Sequence, residues 1–304
     1  MKILNFGSLN IDITYRVPHM VQPGETIRAL RYERFCGGKG LNQSIALAQA
    51  GAEVFHAGCI GVDGEILNTK LEQAGVDTRF LRRVEGPSGH AIIQIDDRGQ
   101  NSIVICGGAN ELVDVEYIEE VFQQFGENDV LLVQNEIANV DYAIDVAARK
   151  NMRVVLNPSP FDDQILRFDL NRIDCFILNE VEGQQMTGCA KADPLEILEE
   201  IQNRYPRAAC VLTFGKKGAY FSYAGQTVFQ PAFQVETIDS TGAGDTFTGF
   251  FITEFLKNND PKAALRYASA AAALSVGRKG ASSSIPANAE VQQFLERVVI
   301  GQGE

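Results

Sequence analysis

The 304-residue chain predicts an α/β fold: a mostly parallel central sheet covered by helices on both faces, with a small antiparallel β lid projecting from it. Three observations predict this. Short, continuously apolar runs alternate with stretches of helical spacing. Those runs end in polar residues. Two other segments break the rhythm, one with a two-residue alternation and one as a strand pair around a turn.

In chain order, Ile11, Ile13, Tyr15 and Val17 alternate with Asp12, Thr14 and Arg16, the period of a strand buried on one face. Pro23-Gly24 reads as a turn, and a second strand-like run continues through Phe35. A Gly-rich stretch at 36–43 then leads into an Ala-rich helix over 44–50. Residues 90–95 and 101–106 form another strand pair around the turn Asp96-Asp97-Arg98-Gly99. These four strands, near 10–36 and 86–106, make up the lid. Its one apolar face needs a cover, and a second subunit is the expected one. Downstream, Asp-Val-Leu-Leu-Val-Gln (129–134) precedes a helix face of Val140, Ala143, Ile144 and Ala147. Apolar runs follow at 153–158 and 174–179. Another at 209–215 comes after a helix carrying Ile197, Ile201 and Tyr205. Ligands collect where parallel strands end, and Glu136, Asn157, Asn179 and Thr213 fall there. No internal repeat appears, so residues 1–304 are expected to form a single domain.

Charge narrows the function. Against 39 Asp+Glu stand 27 Lys+Arg, a net −12, which gives no sequence-independent attraction to DNA, RNA or an anionic membrane. The six cysteines form no CxxC pair and several sit in apolar runs, as buried thiols do. With no signal-like N-terminus and no apolar run of about 18 residues, the expected location is a reducing cytoplasm.

Chemistry concentrates in two Gly-rich segments. In Asp239-Ser240-Thr241-Gly242-Ala243-Gly244-Asp245-Thr246-Phe247, the glycines precede a helix whose face carries Phe247, Phe250, Phe251 and Phe255. Free backbone N–H groups and the helix dipole make such a turn an anion site, and small residues admit a phosphate. Asp245 would sit in the first helical turn, able to take a proton from an attacking hydroxyl. The plain alternative is a strand-to-helix turn capped by Asp245. Neither GxxxxGK[ST] nor GxGxxG is present. In the other segment, Cys36-Gly37-Gly38-Lys39-Gly40-Leu41-Asn42-Gln43, Lys39 and Asn42 offer donors to a polyhydroxylated or anionic ligand. Asn10 and Asp12 at the end of the first strand, with Glu136, add sugar-type acceptors.

At these residues the sequence resembles the ribokinase-like carbohydrate kinases, most closely their ribokinase branch. Gly-Gly-Lys-Gly-Leu-Asn-Gln-Ser at 37–44, with Gly51 and Gly61, matches the N-terminal signature, and 239–245 the C-terminal one. Between and beyond them, Asn157-Pro158-Ser159-Pro160, Asn179-Glu180-Val181-Glu182, Thr213-Phe214-Gly215-Lys216-Lys217-Gly218 and Arg278-Lys279-Gly280-Ala281 fall in the family's order. The resemblance implies a three-layer αβα kinase that uses ATP and Mg²⁺ to phosphorylate a primary hydroxyl, a pentose such as D-ribose first. It makes Asp245 the general base and Gly242, Ala243 and Gly244 the anion hole. It places Asn10, Asp12, Gly38, Lys39, Asn42 and Glu136 on the sugar, and Asn179 and Glu182 on the Mg²⁺ and phosphates. It puts Thr213, Gly215, Gly218 and Ser269 on the nucleotide. It also implies a monovalent cation, potassium, at Asp239, Thr241, Ser275, Arg278, Gly280 and Ser284, and a homodimer formed through the lid. Other acceptors, a different sugar or a nucleoside, remain open, as does a catalytically silent sugar- or nucleotide-binding regulator on the same fold. Retention of Asp245 with its Gly-Ala-Gly turn favours the enzyme. Three departures stand out: a loop about two residues shorter after Asp63, Phe250 in place of a small residue, and Ser269 in place of a larger polar one.

Overall fold

The computed structural model describes residues 1–301. The chain runs through β1 (Ile3–Phe6), β2 (Asn10–Arg16), β3 (Arg31–Gly37), α1 (Lys39–Gln49), β4 (Val54–Ile60), α2 (Glu65–Gln73) and β5 (Asp77–Arg83). It continues with β6 (Gly89–Ile95), β7 (Asn101–Cys106), α3 (Val115–Phe122), β8 (Val130–Val133), α4 (Val140–Arg149), β9 (Arg153–Leu156) and β10 (Cys175–Asn179). Next come α5 (Glu180–Thr187), α6 (Pro194–Arg204), β11 (Ala209–Thr213), β12 (Gly218–Tyr223) and β13 (Gln226–Pro231). The last elements are α7 (Ala243–Asn258), α8 (Pro261–Val276) and α9 (Asn288–Gly301).

Nine strands form the main sheet in the order β13-β12-β11-β10-β9-β8-β1-β4-β5. From β11 to β5 every neighbour is parallel, and the hairpin β12–β13 closes one edge antiparallel. Strand β8, VLLV, is buried throughout, as a strand covered on both faces must be. Side chains alternate across the sheet. Leu4 and Phe6 point into a core shared with α3, α4, α5 and α6, whereas Ile3 joins the core under α1, α2, α7, α8 and α9. These are the three layers the sequence predicts. Asp-Pro starts cap two of the helices: Asp193 and Asp260 each accept two backbone N–H bonds, with proline at the first helical position.

The second sheet has the order β3-β2-β6-β7. Its hairpins β2–β3 and β6–β7 are antiparallel, as predicted, and a parallel seam between β2 and β6 joins them, Asn10 opposite Gly89. Phe250 is fully buried, its ring 5.6 Å from Tyr267, so the larger residue is absorbed between α7 and α8. The short loop after β4 turns on Asp63, which accepts the Ser88 N–H at 2.8 Å, and leads straight into α2. All six cysteines are free thiols, with Cys59, Cys175 and Cys210 buried. Among the described residues no helix is long and apolar enough to cross a membrane.

Candidate functional site

The chain lays β4 and β5 on one side of β1 and β8, β9, β10 and β11 on the other, so the strand order reverses between β1 and β8. A crevice opens at the carboxyl ends of strands at such a reversal. Ser8 follows β1 there, Gln134 and Glu136 follow β8, Asn157 follows β9, and Asn179 and Thr213 end β10 and β11. Two helices start at the same place. Lys39 is the first residue of α1, which begins earlier than the predicted 44, and Ala243 is the first of α7. Gly242 caps α7 in the left-handed region, φ 75°, where a side chain would be strained and would also meet Ala281 at 3.0 Å. Asp245 therefore lies in the first turn of α7, as predicted.

Lys39, Asn157, Asn179, Glu182, Thr213, Gly242, Gly244 and Asp245 line a cleft of about 250 Å³. Asp245 is 6% exposed and accepts from two amides of α1: Asn42 Nδ2 to Oδ2 at 3.0 Å and Gln43 Nε2 to Oδ1 at 2.9 Å. Close packing sets this meeting. A Cβ on Gly249 would lie 2.4 Å from Ala46 Cβ, so glycine lets α7 touch α1 one turn beyond the bonded residues. At Gly244 an added Cβ would meet no protein atom within 4 Å, leaving open space before the helix N-terminus.

Of the predicted sugar set Lys39 lines this cleft, and Asn42 and Glu136 are bonded to residues that do. Glu136 Oε2 accepts the Lys39 N–H at 3.0 Å and a short bond from the Ser8 hydroxyl. Burial, with the charge of Glu136 nearby, raises Asp12 to about 6, and burial raises Glu136 as well. Burial opposes the charge of Lys39, yet Asp245, Glu136 and Glu182 together hold its ammonium above the usual value. Asn10 and Asp12 lie at the start of β2 rather than at the end of the first strand. Asn10 Oδ1 accepts from Asn110 Nδ2 at 2.7 Å.

Asn179 and Glu182 form a capping box at the start of α5: Asn179 accepts the 181 and 182 N–H groups, and Glu182 accepts the Asn179 N–H. One Glu182 oxygen is thus engaged in structure, while the residue lines the cleft. Thr213 reaches the cleft; Gly215 and Gly218 flank the turn beyond it, and Ser269 is buried along α8 outside the cleft lining. Asp239 gathers the next group. Its carboxylate accepts from the Thr241 N–H and hydroxyl and from the Gly280 N–H at 2.9 Å. Against the effect of burial, those bonds and Lys279 hold it below its usual value. Ser275 and Ser284 are buried beside this turn, and the Arg278 guanidinium is tied to Glu290, leaving only its backbone to face an ion. Among the described residues no cluster of three His, Cys, Asp or Glu is poised around a metal. A hollow of about 330 Å³ near Leu170, Tyr205 and Arg207 lies at the opposite strand ends and holds one charged group.

The site list drawn from sequence omits four buried residues of the cluster: Ser8, Gln43, Gln134 and Asn157. Asn157 falls at a strand end and Gln43 within the Gly-rich motif. For Ser8 and Gln134 the signal is the same rule, a polar residue within two positions of the end of an apolar strand.

A carboxylate at a helix N-terminus, open backbone donors beside it and a second floor of sugar-type acceptors, all at the switch point of an α/β sheet, define a small-molecule kinase. The chain belongs to the pfkB family of carbohydrate kinases, whose model matches residues 1–288. It is 37% identical to a ribokinase of Haemophilus influenzae, over 95% of this chain and 97% of that one. It is 31% identical to a deoxyribokinase of Salmonella typhi, over 97% and 99%. The structure of Arabidopsis thaliana ribokinase complexed with ribose and ATP superimposes with a TM-score of 0.86 at 28% identity, covering 96% of this chain and 98% of that one.

Proposed function

We propose that this chain transfers the γ-phosphoryl group of ATP to the primary hydroxyl of a pentose, D-ribose in the first place, giving ribose 5-phosphate. The observation that carries the reading is Asp245: a buried carboxylate, both oxygens held by amides, in the first turn of α7 and facing the cleft. Asp245 takes the proton of the attacking hydroxyl, and the N–H groups of Gly242 and Gly244, joined by that of Ala243 once it leaves the Ser240 carbonyl it meets at 3.2 Å, receive the transferred phosphoryl group. Asn10, Asp12, Gly38, Lys39, Asn42 and Glu136 bind the sugar hydroxyls, with Lys39 adding positive charge among three carboxylates. Phosphoryl transfer through a loose transition state needs this positioning and charge stabilisation more than covalent help.

The donors suit the implied ions. Glu182 and Asn179 supply too few ligands for an all-protein cage, which matches Mg²⁺ arriving with nucleotide phosphates and its own waters. When bound, Mg²⁺ neutralises charge on those phosphates. Thr213, Gly215, Gly218 and Ser269 are assigned to the nucleotide. Around Asp239 the available donors at Thr241, Ser275, Arg278, Gly280 and Ser284 are oxygens, a set suited to potassium, and an anionic Asp239 anchors it. The exposed apolar strands of the small sheet support a homodimer.

An ADP-release assay over D-ribose, 2-deoxyribose, other pentoses, hexoses and nucleosides tests the reading. Ribose is expected to give the highest kcat/KM, and turnover to rise with potassium over sodium. Preference for 2-deoxyribose would move the assignment to that sugar. Sugar binding by calorimetry without ADP release for any acceptor would replace the kinase reading with a binding regulator.

A further inference from the structure

We infer that Gln43, and through it Gln134, are positioning residues for phosphoryl transfer: they fix the direction in which the Asp245 carboxylate faces the attacking hydroxyl. The inference rests on Asp245 being the proton acceptor.

Donor and acceptor accounting carries the argument. Gln43 is wholly buried, and its Nε2 uses both protons, one to Asp245 Oδ1 at 2.9 Å and one to Asn157 Oδ1 at 2.9 Å. Turned end for end, the amide would set its carbonyl against two oxygens that only accept. What prevents the turn is Gln134, whose Nε2 donates to Gln43 Oε1 at 2.8 Å. Gln134 is held in the same way, because its other proton goes to Asn5 Oδ1 at 2.9 Å. Asn5 Nδ2 in turn donates to the Gly40 carbonyl and to Ser44 Oγ, both at 2.8 Å. The Ser44 hydroxyl lies 2.7 Å from His56 Nδ1, and His56 Nε2 lies 3.2 Å from the Gly7 carbonyl. Burial lowers His56 to about 4, so the ring is neutral. The Gly7 carbonyl can only accept, which leaves Nδ1 to accept from Ser44. Each amide in the chain therefore has one orientation in which its donors meet acceptors, and that order ends at Asp245.

A second observation separates positioning from packing. Gln134 Oε1 is buried and has no hydrogen-bond partner. It faces Gly7, where an added Cβ would lie 2.3 Å from it. An apolar side chain of similar volume would fill the place without stranding a carbonyl. The donors of Gln134 are what the site uses: they lock Gln43, and Gln43 with Asn42 defines the plane of the carboxylate. A base held in one plane keeps its free lone pairs on the substrate, and small misplacements there are costly.

Gln134→Met is the main test, because Gln134 does not touch Asp245. Its kcat is expected to fall about 10- to 100-fold, with KM for sugar and ATP within about threefold of the parent. Gln134→Glu should be slower still, since a carboxylate there accepts from the Gln43 amide and turns its carbonyl toward Asp245. Gln43→Asn, which withdraws the amide but stays polar, should repeat the Gln134→Met pattern, and it decides the matter if Gln134→Met does not fold. Wild-type kcat in Gln134→Met, or in Gln43→Asn if that variant alone folds, would overturn the inference, as would a loss carried by KM rather than kcat. Asp245→Ala runs alongside: retained turnover there would remove the base assignment itself. Loss of turnover with an unaffected Gln134→Met would remove only the positioning role.

Discussion

Along the floor of the cleft, Asn42, Gln43, Asn157, Glu182 and Asp245 are each buried, and nearly every polar atom has a partner. Along β7, at the edge of the small sheet, every residue is exposed, with Val104 at 64% and Ile105 at 70%. The floor is held by helix contact and by amides that can point only one way. The small sheet carries the proposed sugar residues Asn10 and Asp12, yet it leaves apolar side chains and a free strand edge facing out. Chemistry that depends on placing one carboxylate falls on the rigid region. The proposed recognition of a sugar, through Asn10 and Asp12, falls on the loosely covered one.

That contrast can be broken at its strongest point first. Asp245→Ala should lower kcat by about 10²- to 10⁴-fold while circular dichroism still reports a folded chain. Next is Gly249→Val, whose side chain would press on Ala46 and on the Leu47 nitrogen at 2.6 Å. It should cost about 1–3 kcal/mol in a denaturant titration and lower kcat too, because the same helix contact carries Asn42 and Gln43 to Asp245. On the small sheet, Ile105→Lys should change folding stability by less than about 0.5 kcal/mol, yet convert a dimer to a monomer in sedimentation. An unchanged mass would show that this strand edge is not the contact between copies. The smallest effect is the titration of Asp12. Burial and Glu136 raise it to about 6, so the anion proposed to accept sugar hydroxyls is present above that pH and is lost below it. The kcat/KM for sugar should therefore decline about tenfold per unit below pH 6, and Asp12→Asn should remove that limb.

The central strands were legible because β8, β9, β10 and β11 are continuous apolar runs flanked by helical patterns. Strand β5, DTRFLRR, was not read: it is a polar edge strand in which no residue is fully buried. The hairpin β12–β13 escaped for a related reason, since most of β13 faces outward. The first lid hairpin shows in the alternation of 11–17 and the second in the turn at 96–99, but the parallel seam between β2 and β6 depends on segments far apart, which no local period encodes. At the site, Asp245 was legible because its Gly-rich turn and its helix are adjacent in the chain. The amide chain was not, because Gln43 meets Gln134 across 91 positions and Asp245 across 202. A glutamine after an apolar run does not say which way its amide turns. The Asn179–Glu182 pair carried a readable helix-start pattern, and only its structure shows that it caps α5.

The seam between β2 and β6 also orders events in time. Asn10 pairs with Gly89, so β2 finds its central neighbour only after β4, α2 and β5 have been made. Closing a loop of that length costs entropy before any contact returns it. The ends of that loop are brought together most readily once β1, β4 and β5 are laid side by side. During synthesis the small sheet is therefore complete before the floor, whose Asn157, Glu182 and Asp245 are made later, and a chain stalled before residue 89 would hold Asn10 and Asp12 paired with β3 alone and unpaired on their β6 side.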